Sequence, residues 1–175
     1  MQRSARSKLT LFVVLAAAFG VGSSPEAADS VSGLITRTYV VVEDTDLTGD
    51  VTCDVTGAAC FSFGAPGVEL RLNGFTITGK ADPNTACAGG ALTTGEAGVF
   101  TNNQPNVIVR GPGLVQRFRL HGVFVGGSQE ARVESITAST NCGSGVFIAA
   151  NAFGTLVEDV TTVRNGSATA PCGGV

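Results

Sequence analysis

The chain has one histidine, and none of its five cysteines form a Cys-x2-Cys pair. Zinc sites are built from four such ligands, so the sequence argues against zinc. With His121 the sole imidazole, a cysteine nucleophile has no second histidine to activate it. Charge is sparse as well, at 14% of residues, and no basic stripe runs along the chain. That excludes the usual electrostatic footprint of a nucleic-acid binder. Long apolar runs are missing beyond the N-terminus. The runs that remain are a few residues each, too short for helices and rich in β-branched residues and Phe, which favours strands.

What is present is a repeat. Gly122-Val123-Phe124-Val125 is followed by Arg132-Val133-Glu134-Ser135-Ile136-Thr137 and then Asn141. Gly145-Val146-Phe147-Ile148 is followed by Leu156-Val157-Glu158-Asp159-Val160-Thr161 and then Asn165. The offsets are 23 or 24 residues, a period that marks a solenoid. Each repeat holds three short strands. A tight bend separates the second from the third, and Gly, Asn and Ala fill the other corners. Such a unit is one coil of a parallel stack, with coils about 4.8 Å apart and inward side chains forming a continuous core. The register extends backwards through Ala97-Gly98-Val99-Phe100 and Phe61-Ser62-Phe63. Bends then fall at Asn73-Gly74, Pro112-Gly113, Glu134-Ser135 and Glu158-Asp159. Gly and Asn suit such bends because they tolerate positive φ.

The stretch Leu70-Arg71-Leu72-Asn73-Gly74-Phe75-Thr76-Ile77-Thr78-Gly79, preceded by Asp50-Val51-Thr52-Cys53, resembles a signature of secreted right-handed parallel β-helix proteins of the pectin-lyase-like superfamily. The resemblance covers roughly residues 47–175. It departs from the signature at Arg71, often Asp, and at Phe75, often His. It implies an all-β, three-sided, single-stranded right-handed parallel β-helix of PbH1-type repeats. That superfamily holds polysaccharide lyases, hydrolases, epimerases, adhesins and tailspikes, so the resemblance speaks to fold and not to activity.

Residues 1–28 read as a secretory signal, with Arg3, Arg6 and Lys8 before the apolar run Leu9 to Gly22; an uncleaved N-terminal anchor is the alternative. The expected location is secreted, periplasmic or cell-surface. Removing this segment takes away three basic residues and one acidic residue, moving the formal net charge from −3 to −5. Residues 29–46 are expected to cap the stack, and residues 47–175 to form its coils. A solenoid needs such a cap over its terminal strand edge. The cluster Glu43-Asp44-Thr45-Asp46 lacks EF-hand spacing and reads as a solvated turn. Residues 80–95 are an insertion, the longest break in the register. Pro171-Cys172-Gly173-Gly174-Val175 repeats the lead-in Asn141-Cys142-Gly143-Ser144-Gly145-Val146. The expectation is a β-helix truncated at its C-terminal end, or an open end covered by another chain.

Five cysteines behind a secretory signal point to an oxidising compartment, with one cysteine left over. Cys53 and Cys60 can close a small loop in the first coil. Cys142 and Cys172 occupy the same corner of adjacent coils, a spacing of about 4.8 Å that suits a disulfide. Small buried thiols are the alternative. Cys87 has no evident partner.

In related polysaccharide enzymes the groove follows the first strand of each coil and the corner before it. The matching polar residues here are Glu96, Arg117, Arg119 and His121. The basic group can hold an anionic sugar. Against that, the two arginines also suit solvated corners and His121 a backbone-bonded corner. A glycosidase needs two or three carboxylates around one bond, and Glu96 stands alone, joined at most by Asp82. No catalytic set is complete, no metal site is indicated, and calcium enters only through the resemblance. Glu134 and Glu158 stack one coil apart and read as an exposed bend. Asn141 and Asn165 read as a ladder of side-chain amides. The function expected is an extended face for a polysaccharide or similar ligand. The alternatives are a lyase or hydrolase with its carboxylates in further C-terminal coils, and a structural or adhesive solenoid without a small-ligand site.

Overall fold

A computed structural model describes residues 28–81 and 95–166. The expected signal, most of the insertion with Asp82 and Cys87, and the C-terminal stretch with Cys172 lie outside the described residues. No helix among the described residues is long and apolar enough to cross a membrane.

The described chain is all β. Its strands are β1 (Asp29–Ile35), β2 (Tyr39–Val41), β3 (Thr45–Cys53), β4 (Phe61–Phe63), β5 (Glu69–Arg71), β6 (Thr76–Thr78), β7 (Val99–Phe100), β8 (Ile108–Arg110), β9 (Leu114–Gln116), β10 (Val123–Val125), β11 (Arg132–Glu134), β12 (Thr137–Ser139), β13 (Val146–Ile148), β14 (Leu156–Glu158) and β15 (Thr161–Val163). They assemble into two sheets, and every pairing is parallel. A five-stranded sheet runs β2-β4-β7-β10-β13. A ten-stranded sheet runs β14-β11-β8-β5-β3-β6-β9-β12-β15, with β1 beside β3.

Where the sequence suggests three sides, β3 explains why there are two sheets. Its nine residues run unbroken across the place where later coils bend. Its start pairs with β5 (Thr45 with Leu70) and its end with β6 (Val51 with Ile77). One long strand thus joins two rows of short ones. The register repeats the spacing in the sequence: Val99 lies against Val123, Val123 against Val146, and Val133 against Val157. The third strands start one residue later than the pattern suggests, at Thr137 and Thr161.

Strand alternation sorts the side chains. In β4 and β10 the first and third residues are buried, whereas β5, β6, β8, β9 and β12 bury the middle one. Phe61, Phe63, Leu70, Ile77, Val109, Val115, Val123 and Val133 are fully inside. Burying each such side chain is worth about 1.5–3 kcal/mol, and this column is the main source of cohesion.

The corners repeat too. Left-handed backbone recurs at Asn106, Glu130 and Gly154, at Ser135 and Asp159, and at Arg117, Thr140 and Arg164. Each group is spaced by one coil. A second column holds Gly98, Gly122 and Gly145. A Cβ on Gly122 would lie 2.6 Å from the Gly145 carbonyl and 2.8 Å from Nδ2 of Asn141. These glycines exist because the chain one coil on passes directly against them.

Two pairings expected from the sequence are seen. Cys53 and Cys60 form a disulfide with Cα atoms 5.9 Å apart. Asn141 Nδ2 donates to Asn165 Oδ1 at 2.9 Å, and Asn165 Nδ2 donates to the Ala138 carbonyl at 2.8 Å. Asn141 is completely buried and its Oδ1 accepts from the Phe118 N–H at 3.0 Å. The amide ladder therefore supplies partners that the corner backbone lacks. Cys142 is not a free thiol.

Candidate functional site

The four residues singled out on the first-strand corner have separate fates. Glu96 is 3% exposed. Its Oε2 accepts from Arg119 Nε at 2.5 Å, and its Oε1 accepts from Arg119 Nη2 at 2.5 Å and from the Gly57 N–H at 2.7 Å. A two-point guanidinium–carboxylate pair is strong and directional. Glu96 and Arg119 are bonded to each other and fasten the 54–60 corner to the next coil. Arg117, in left-handed backbone, donates from Nε to the Ala81 carbonyl at 2.9 Å.

His121 is 9% exposed, and its Nδ1 accepts from the Ser144 N–H at 3.0 Å. The ring proton therefore sits on Nε2. Burial pushes its pKa down to about 4, so the imidazole is neutral at physiological pH. It stacks on Phe147 with ring centroids 4.4 Å apart and planes at 10°.

Phe147 belongs to an aromatic row that lies outside the polar candidates of the sequence. Phe100, Phe124 and Phe147 are paired one above another in β7, β10 and β13. Their neighbours Val99, Val123 and Val146 fill the core, so alternation turns the three phenylalanines outward. Phe100 and Phe124 stack at 5.0 Å, and Phe124 meets Phe147 edge-on at 5.5 Å. The first two are half-buried and Phe147 is 39% exposed. The signal was in the repeat itself: Gly-Val-Phe recurs at 98–100, 122–124 and 145–147. An outward aromatic row can stack on a flat, partly apolar ligand.

The β5-β8-β11 wall is different. Arg71 pairs with Asp44, with Asp46 at 3.5 Å and with Glu69 at 2.9 Å. Arg110 pairs with Glu69 and with Glu134 at 2.5 Å, and Arg132 reaches Glu134 at 3.3 Å. This corrects the reading of Glu134 as an exposed bend. It is the last residue of β11, 8% exposed, and it sits between two guanidiniums. The left-handed residue of the bend is Ser135. Asp44 and Asp46 are likewise ion-pair partners of Arg71. Among the described residues no group of three or more His, Cys, Asp or Glu is placed to hold a metal ion.

The fold and these walls define a class, an all-β stack of parallel strands with a solenoid-like repeat. No protein family, curated protein or solved structure matches the chain.

Proposed function

We propose that the chain is a right-handed, three-sided parallel β-helix of the pectin-lyase-like kind, exported from the cell, that presents the outer face of β7, β10 and β13 to an extended glycan. The observation that carries this reading is the outward row Phe100-Phe124-Phe147. Sugar rings offer apolar C–H faces, and a row of aromatic rings repeated once per coil matches a polymer better than a compact ligand. His121, neutral and stacked beneath Phe147, holds that ring in place and keeps Nε2–H as a donor. Glu96 and Arg119 support the corner through their mutual pair.

The test is affinity electrophoresis of the full chain in native gels cast with soluble polysaccharides. Xyloglucan and glucomannan represent neutral polymers, and polygalacturonate and alginate acidic ones. Retardation by at least one polymer is expected. Unretarded migration in all four would overturn the reading and leave a structural solenoid.

A further inference from the structure

A cleft lies away from the aromatic face. It lies across β8, β11 and β14 and has a volume of about 480 Å³. Asn106, Ile108, Glu130, Arg132, Gly154 and Leu156 line it. That volume falls within the range of about 300–1,000 Å³ usual for small-ligand sites. Its lining is two rows, each one coil apart. Ile108, Arg132 and Leu156 are paired strand residues. Asn106, Glu130 and Gly154 are the left-handed corner residues above them.

The chemistry of these rows is selective. Ile108 and half-exposed Leu156 supply an apolar floor. Arg132 supplies donors; its one ion-pair contact among the described residues is the 3.3 Å approach of Nη1 to Glu134. The Glu130 carboxylate accepts and the Asn106 amide does both, and neither side chain has a protein hydrogen-bond partner among the described residues. One carboxylate and one guanidinium leave the cleft without net charge, which disfavours a polyanion. Hydroxyls that both donate and accept, on a ring with an apolar face, match all three elements.

Glutamate is also a costly residue for its position. Left-handed backbone costs a non-glycine residue about 1–2 kcal/mol, and the same corner one coil later is Gly154.

We infer that this cleft is a second glycan subsite, specific for uncharged sugar units, with Glu130, Arg132 and Asn106 bonding to hydroxyls over the Ile108–Leu156 floor. It rests on the glycan reading above but occupies a different wall. Isothermal titration of the full chain with cellohexaose, xylohexaose and hexagalacturonate tests it. Wild-type protein is expected to bind a neutral hexaose more tightly than hexagalacturonate. Glu130→Gly removes the carboxylate and restores the residue that the backbone favours. It is expected to weaken neutral hexaose binding at least tenfold while leaving the unfolding midpoint unchanged or higher. Phe124→Ala is expected to leave that binding in place.

Glu130→Gly binding the neutral hexaoses as wild type does would overturn the subsite. So would a wild-type preference for hexagalacturonate, or no hexaose binding. If Phe124→Ala abolishes binding and Glu130→Gly does not, the aromatic face stands and the cleft falls. If Glu130→Gly abolishes it and Phe124→Ala does not, the cleft stands, and the aromatic face is judged separately by its retardation in polysaccharide gels.

Discussion

The two outer walls of this stack are built from the same parallel strands and carry opposite surfaces. On β5, β8 and β11 the outward residues, Ile108 apart, are charged, and most close on one another: Arg71 takes Asp44, Asp46 and Glu69, and Arg110 takes Glu69 and Glu134. On β7, β10 and β13 they are phenylalanines, stacked on each other and half open to solvent. The contrast separates two uses of a solenoid wall. A self-neutralised ladder of ion pairs needs no outside partner. An aromatic row keeps apolar surface in water, a standing cost that a ligand removes.

The largest expected effect lies beneath the aromatic wall. Gly122→Ala forces a methyl group against the Gly145 carbonyl and the Asn141 amide, neither of which can yield freely. The expected loss is about 3 kcal/mol, read as a lower denaturation midpoint by circular dichroism. A midpoint within error of wild type would mean that the coils are not packed this closely.

Acid comes next, and it also acts on the aromatic wall. Above pH 6.5 His121 is neutral in both folded and unfolded chains, so its full contribution is present. As pH falls towards the folded value of about 4, the unfolded chain takes up a proton that the folded chain refuses. Stability is lost over that window, by about 1–3 kcal/mol. His121→Gln should flatten this slope when urea midpoints are compared at pH 7, 5.5 and 4. An unchanged slope would place the titrating group elsewhere.

The charged wall should respond least. Arg110→Ala removes partners from Glu69 and Glu134, but Arg71 and Arg132 remain beside them. The expected cost is about 1 kcal/mol, smaller still in high salt. A loss as large as that of Gly122→Ala would show that the ladder, and not the apolar column, holds the coils together.

The difference between the walls was partly legible in the sequence. The Gly-Val-Phe triplets gave the register, and strand alternation then puts Val inside and Phe outside. The Asn141–Asn165 ladder followed from the same spacing, and the Cys53–Cys60 bridge from the short loop between the two cysteines. The ion pairs were harder to see. Glu96 and Arg119 are 23 residues apart, one coil, yet they sit on corners of irregular length where register is lost. Glu134 meets Arg110 across 24 residues, while Arg110 meets Glu69 across 41 because of the insertion between them. In a solenoid the neighbour of a side chain lies one period away, so insertions hide polar pairs more effectively than they hide the core. The cleft was invisible for a further reason: its corner residues Asn106, Glu130 and Gly154 share a backbone conformation and not a residue type.

The aromatic wall is thus proposed to meet a glycan, and the Arg71–Arg110 ion-pair ladder is not. Affinity electrophoresis of wild type, a Phe124→Ala/Phe147→Ala double variant and Arg110→Ala, in gels containing the polysaccharide that retards wild type most, tests it directly. The account predicts that the double variant is retarded much less than wild type while Arg110→Ala is retarded like wild type. A double variant retarded as fully as wild type, or release of Arg110→Ala with its fold intact, would contradict it.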